Sequence, residues 1–201
     1  MGMGHSICLA TRVLGGATLI LLMAGCGSVR ETLPGRSAME QMLISTAADR
    51  AVGELPTQIF QGKAVFLDTT NLDCTDKAYV IQRMRAALRQ CGANLTDAKD
   101  QADLFLEAGS GTLSLNKRDM MFGIPSLPLP FAGETLKLPE LPLWKLITYD
   151  GRAKFLFSLV DAKTGQMAAD IPLCYGSARE TYWWCLIVGP VKNSDLPAGA
   201  K

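Results

Sequence analysis

The sequence is nearly without histidine. Its one copy, His5, stands near the start of a 201-residue chain. Beyond it no Ser-His-Asp or Cys-His nucleophile can be assembled. Histidine-ligated zinc and the two-His-one-carboxylate iron site are excluded with it. Phosphate-binding loops are lacking too: Gly109-Ser110-Gly111 is followed by Ser114 where a dinucleotide fingerprint needs its third glycine, and there is no Walker sequence. There is no C-x-x-C pair for redox work. No basic run is present, so nucleic acid is not an expected partner. Asp68, Asp73 and Asp76 lack the alternating spacing and central glycine of a calcium loop, and read as turn and helix-capping residues. The sequence therefore predicts no metal, no cofactor and no enzyme. A pair of carboxylates meeting from distant positions is the one catalytic route left open, and nothing marks such a pair.

What is present begins with an address. Arg12 leads into an apolar run, Val13 to Met23, followed by Ala24, Gly25 and Cys26. The run is well short of the roughly 20 residues that a spanning helix requires, so positions 1–25 read as a secretory signal. Leu22-Met23-Ala24-Gly25-Cys26 resembles the lipobox of bacterial lipoproteins, with Met23 where a branched aliphatic residue is more usual. That resemblance implies cleavage before Cys26 and acylation of its thiol and new amino group. Gly27 follows in place of the aspartate that commonly retains lipoproteins in the inner membrane. The expected location is therefore the outer membrane, facing the periplasm. Removing 25 residues from 201 leaves 176, enough for one domain with a sizeable core. It also removes Arg12 from 20 basic residues, leaving 19 against 19 acidic ones. Residues 26–36 form a polar tether, whose last ten residues reach at most about 35 Å.

The spacing predicts one domain over 37–190. Ser37 and Glu40 are placed for a capping box, ahead of an apolar face from Met39 to Leu55 at helical spacing. KAVFLDT (63–69) reads as a strand buried on both faces, and a second helix follows from about Asp76 to Gln90, ended by Gly92. Strands are predicted over 93–97, 104–115, 154–161, 166–175 and 181–188, with a loose tail over 191–201 that begins to lose structure at Gly189. The predicted fold is α+β: two helices packed on one mixed sheet of about five to six strands.

Two features stay open. Cys74, Cys91, Cys174 and Cys185 are an even set outside the cytoplasm, which suggests disulfides. Cys74 and Cys91 flank a helix of about 22 Å, too long for them to pair. Cys174 and Cys185 flank YGSARETYWW, read as a hairpin turn entering an aromatic strand. Pairing across that hairpin, a crossed arrangement tying the helix ends to these strands, and four buried free thiols are all compatible with the pattern. The other feature is DMMFGIPSLPLPFAG (119–133) with its continuation to Lys145, an apolar stretch broken by Pro125, Pro128, Pro130, Pro139 and Pro142. Its Met120, Met121, Phe122, Ile124, Leu127, Leu129, Phe131 and Trp144 have three possible uses. They cover the domain's own sheet, serve self-assembly or an envelope protein partner, or touch the membrane beside the anchor. Polyproline-like stretches are expected there, and a porin-like hairpin is not.

The phrases RETLPGRSAMEQMLISTAADRAV, GKAVFLD, ADLFLEAGSGTLSLNKRD, GIPSLPLP, LPELPLWK and GRAKFLFSLVDAKTG together resemble a family of uncharacterised bacterial lipoproteins, a domain of unknown function. The resemblance spans nearly the whole mature chain and implies no activity. The lipobox and the helix–strand–helix–strand order are more loosely similar to envelope lipoproteins with a fold like the N-terminal domain of TolB. Among these are the curli secretion lipoprotein, the exopolysaccharide-export ring lipoprotein and the lipoprotein activator of peptidoglycan synthases. That similarity implies a scaffold or regulator of an envelope complex. Its alternatives are a ring-forming component of an export system or a cell-wall hydrolase using two carboxylates. Cys26→Ser is expected to abolish incorporation of labelled palmitate in cells; label retained by the variant would place the lipid elsewhere.

Overall fold

The first helix begins where its capping chemistry says it should. Ser37 Oγ accepts from Glu40 N–H at 3.3 Å while the Glu40 carboxylate accepts from Ser37 N–H at 2.9 Å, closing the capping box at the start of α1, Ala38–Gly53. Its inward face is Leu43, Ile44, Ala47, Ala48, Ala51 and Val52. The computed structural model describes residues 35–56, 58–131, 134–137, 139–186 and 188–197, without side chains at 129–131 and 134–137. The expected signal peptide, Cys26 and the expected tether as far as 34 lie outside the described residues.

Strand β1 (Ala64–Asp68), helix α2 (Lys77–Gln90) and strand β2 (Asn94–Thr96) form a strand–helix–strand unit whose strands pair in parallel. Arg36 ties the two helices together, donating to both carboxylate oxygens of Asp76 at 2.9 and 2.7 Å. β1 also pairs in parallel with β3, Leu104–Ile124. From there the sheet is antiparallel: β3 pairs with β6 (Leu141–Asp161), β6 with β8 (Cys174–Cys185), and β8 with β9 (Val188–Ser194). A short β7 (Met167–Ala169) lies on β6 after the turn at Ala162. The sheet order is β2-β1-β3-β6-β8-β9, and β4 (Pro128–Phe131) with β5 (Glu134–Lys137) forms a separate hairpin between β3 and β6. Among the described residues this is α+β: two α-helices and one mixed, open sheet.

Both helices lie on one face of the sheet. Val65 and Leu67, Leu106 and Ala108, Phe155, Phe157 and Leu159, Cys174 and Ala178 point into that side and are buried with Val80, Met84 and Leu88 of α2. β1 is therefore buried on one face only, where the sequence predicted both. All core residues fall between Leu43 and Leu196, so the unit from Arg36 onward carries its own core.

α1 sits very close to β6 and β8. A Cβ on Gly151 would lie 2.6 Å from the Leu43 carbonyl oxygen, and one on Gly176 would lie 1.9 Å from that of Ala47. These glycines let helix backbone rest on strand backbone, with Ala47, Ala51, Ala153 and Ala178 filling the remaining space. This corrects the hairpin predicted within YGSARETYWW. Gly176 and Ser177 are interior strand residues, and Cys174 and Cys185 are the two ends of one 12-residue strand. At about 3.4 Å per residue those ends are far beyond disulfide reach. All four cysteines are free thiols, Cys174 buried, Cys74 and Cys91 half-buried, and Cys185 exposed. Burial pushes the thiols of Cys74, Cys91 and Cys174 up, away from the reactive thiolate; the carboxylates of Asp76 and Asp73 add to it at Cys74.

Two further expectations change. The segment from Gly189 is not a loose tail over its first residues: Val188–Ser194 is the edge strand, and Asp195 beyond it accepts from Arg179 N–H at 2.8 Å and pairs with Arg50 at 3.1 Å. The apolar segment does not cover the sheet. Residues 113–124 of β3 and 141–153 of β6 run on past the parallel strands, and with β8 and β9 they make a four-stranded arm. Close backbone approach makes one glycine indispensable and another dispensable. Gly176→Ala is expected to cost about 1–3 kcal/mol. Gly53→Ala, with open space around it, should be neutral or stabilising by up to about 1 kcal/mol. Paired denaturant melts of the two variants check this.

Candidate functional site

The register of the arm sorts its side chains into two faces. Strand residues alternate, and directly opposed partners share a face. Gly111 is an extra residue between the pairs Ser110–Phe155 and Thr112–Lys154, so the inward parity of β3 changes there from even to odd. On the helix side the arm carries Lys117, Asp119 and Met121, Lys145 and Tyr149, Glu180, Tyr182 and Trp184, and Lys192. On the open side it carries Arg118, Met120 and Phe122, Trp144, Leu146 and Thr148, Arg179, Thr181 and Trp183, and Val191.

The helix side of the arm is held by a buried carboxylate. Glu180 has no solvent exposure, takes the Tyr182 hydroxyl as a donor, and has Lys192 Nζ 3.0 Å from its Oε2. Burial pushes its carboxyl up, but the hydrogen bonds from Tyr182, Lys192 and Ser194 and the Lys192 charge outweigh that and hold its pKa below the usual value. Burial, then the hydrogen bond to Glu180, pushes the Tyr182 phenol up to about 12. Tyr149 meets Tyr182 edge-on at 6.2 Å, and Trp184 stacks on Tyr182 at 6.3 Å. Lys117 Nζ lies 5.7 Å above the Tyr149 ring and 3.2 Å from Asp119. These contacts stiffen the arm beyond the end of α1.

The open side carries two adjoining recesses. One of about 460 Å³ is lined by Thr112, Asp150, Arg152, Lys154, Tyr175, Ser177 and Arg179. A second of about 290 Å³ adjoins it toward the tip, shares Asp150, Arg152 and Arg179, and adds Asn116, Arg118, Leu146, Thr148 and Thr181. Asp150 is the carboxylate at their junction. Its Oδ2 accepts from Arg152 Nε at 3.0 Å and Nη2 at 2.8 Å, with Arg179 Nη2 at 3.6 Å. Its Oδ1 is buried without a hydrogen-bond partner among the described residues. A buried acceptor without a donor is costly. Arg152 and Arg179 thus flank the Asp150 carboxylate, and Lys154 and Arg118 line the two recesses beside it. A basic set of this kind complements an anionic group. It is not the pair of carboxylates that glycan hydrolysis requires.

Toward the tip the same face becomes apolar. Met120 is opposite Leu146, which is opposite Trp183, and Phe122 is opposite Trp144, which is opposite Cys185. Phe122 is 69 % exposed, and Met120, Ile124, Leu127, Leu141, Leu143, Trp144, Trp183 and Val188 are exposed with it. The structure thus brings Met120, Phe122 and Trp144 together and sends Met121 to the other face, opposite Lys145. Leu127 lies in the connection before β4. Leu129 and Phe131 fall among the residues whose side chains are not described, and Cys26 lies outside the described residues. Sequence reasoning missed Asp150, Arg118, Arg152, Arg179 and Trp183. The alternation D-x-R at 150–152 and S-x-R-x-T-x-W at 177–183 was the available signal.

Of the acidic residues read as turn and cap groups, Asp68 serves a turn, whereas the Asp76 side chain makes no capping bond to α2. Asp68 accepts from Thr70 N–H at 3.0 Å and lies 3.3 Å from Lys99, while Asp76 stands at the start of α2 and binds Arg36.

The chain belongs to a family of unknown function, DUF6655, whose sequence profile matches residues 20–199. No curated protein matches it.

A phenol whose folded pKa is about 12 against an ordinary 10 stabilises the protein through its protonated form. That contribution is whole below about pH 10 and is lost as pH rises through 12. Stability measured over this window should fall more steeply in the wild type than in Tyr182→Phe. Glu180→Gln should cost about 1–3 kcal/mol at neutral pH, read from denaturant melts.

Proposed function

We propose that the chain is a lipid-anchored protein of the bacterial cell envelope, held at Cys26 in the outer membrane and facing the periplasm, that works by binding and not by catalysis. The observation that carries this reading is the arm: a rigid extension of the sheet whose open face is apolar and aromatic, with nothing of the described chain laid over it. Contiguous apolar surface of this kind marks a site of contact with something else. The lipobox-like Leu22–Cys26 and the short stretch that follows it support action near a membrane or a membrane-bound complex. The finer likeness to TolB-N-terminal-like envelope lipoproteins rests on element order and is part of the proposal; it supports a scaffold or regulatory role by analogy of fold alone.

A second reading, a ring-forming component of a secretion or export system, has one specific observation in its favour. β9 and the distal part of β3 are both edges of the arm, so each offers unpaired backbone groups to another strand. A carboxylate-based cell-wall hydrolase has no comparable support, since cations and not a second acid flank Asp150.

If the arm acts by contact, charging it should spare the fold and remove the contact. Met121→Asp with Phe122→Asp is expected to melt within a few degrees of the wild type, as exposed substitutions do. The same variant should lose crosslinks to envelope components formed by the wild type in cells. Unfolding of the variant would show that these residues close a core, and unchanged crosslinking would move the contact off the arm.

A further inference from the structure

From the order of side chains along the open face of the arm, we infer that this face docks flat on an anionic phospholipid bilayer. The inference rests on the envelope reading above and names the surface on which the arm acts. Two chemistries follow one another along the same face. At the root, Arg152 and Arg179 flank Asp150, and Arg118 and Lys154 line the two recesses on either side of it. Toward the tip, Met120 and Phe122 stand beside Leu146, Trp144 and Trp183. Arg118 and Phe122 are four residues apart, about 14 Å along a strand. A single sheet face thus carries a basic zone and an apolar zone that contains two tryptophans, a distribution suited to an interfacial membrane surface. The arginines meet headgroup phosphates.

The opposite face decides the orientation. It carries the ion pairs Lys117–Asp119, Lys145–Glu140 and Lys192–Glu180, which hydrocarbon would not accept. A sheet lying flat keeps these in water and leaves its edge backbone groups at headgroup level, where water can satisfy them. One copy is sufficient, and no spanning strand is required.

The test uses residues 27–201 without lipid, since the core lies wholly within them. Sedimentation is measured with vesicles of phosphatidylethanolamine and phosphatidylglycerol, and with phosphatidylcholine alone. Binding is expected on the anionic vesicles only, weakening as salt is raised, with a blue shift of tryptophan fluorescence. Arg118→Gln with Arg179→Gln should weaken it about thirty-fold. Met120→Ser with Phe122→Ser should remove the blue shift, while both variants keep the wild-type circular dichroism and melting curve. Folded protein that leaves anionic vesicles empty would overturn the inference. So would concentration-dependent self-association that shields the tryptophans without vesicles, since the face would then belong to a second copy. Palmitate labelling of the full chain tests the anchor separately, so the two ideas can fail independently.

Discussion

The contact on which the architecture depends is the seating of α1 on Gly151 and Gly176. No side chain intervenes there: helix carbonyls of Leu43 and Ala47 lie where a Cβ would otherwise be. The neighbouring positions are kept small by Ala47, Ala51, Ala153 and Ala178. Such an approach fixes the height of the helix above the sheet and, through Leu43 and Val52, its rotation. It also requires β6 and β8 to be continuous and flat beneath the helix. Once those two strands are long, their pairing runs on past the helix, and the arm is the consequence.

Beyond α1 the arm must hold itself. A buried, unpaired carboxylate would cost several kcal/mol, so Glu180 is tolerable only because the Tyr182 hydroxyl donates to it and the Lys192 ammonium lies 3.0 Å from Oε2. The aromatic contacts Tyr149–Tyr182 and Tyr182–Trp184 extend from it toward the tip. Polar and aromatic packing thus replaces a helix on one face. The other face is left to a graded surface, basic at the root and apolar at the tip. The membrane contact proposed above would use both zones.

Much of the helical half was legible from local rules. The Ser37–Glu40 box, the apolar stripe of α1 and the stop at Gly92 are short-range, and each formed as its chemistry demands. The parallel strand–helix–strand unit followed from strand and helix signals of ordinary length. The arm was hidden for two reasons. Gly111 inserts one residue and reverses the side-chain parity of β3, and Leu143 is an extra residue of β6 between the partners of Phe122 and Gly123, so period-two counting fails along both strands. The prolines between 125 and 142 were read as breakers of the whole stretch, whereas Pro142 sits within β6 at that irregularity and Pro128 opens a separate small hairpin. In the same way Gly176 was read as a turn, although its missing side chain serves a helix 129 positions earlier, at Ala47.

The sequence by itself determined what is written in composition and short spacing: the exclusion of histidine chemistry, the lipobox-like run Leu22–Cys26, both helices with the capping box of the first and the glycine stop of the second, and an α+β class. The tertiary structure alone decided which glycines are turns and which are contacts, that the apolar segment stands out from the core and does not cover it, and that Arg118, Asp150, Arg152 and Arg179 share one face. The physical reason is the range of the interactions. Capping and helical periodicity act within a few residues, whereas register, bulge parity and backbone-to-backbone packing join positions a hundred residues apart and have no local signature.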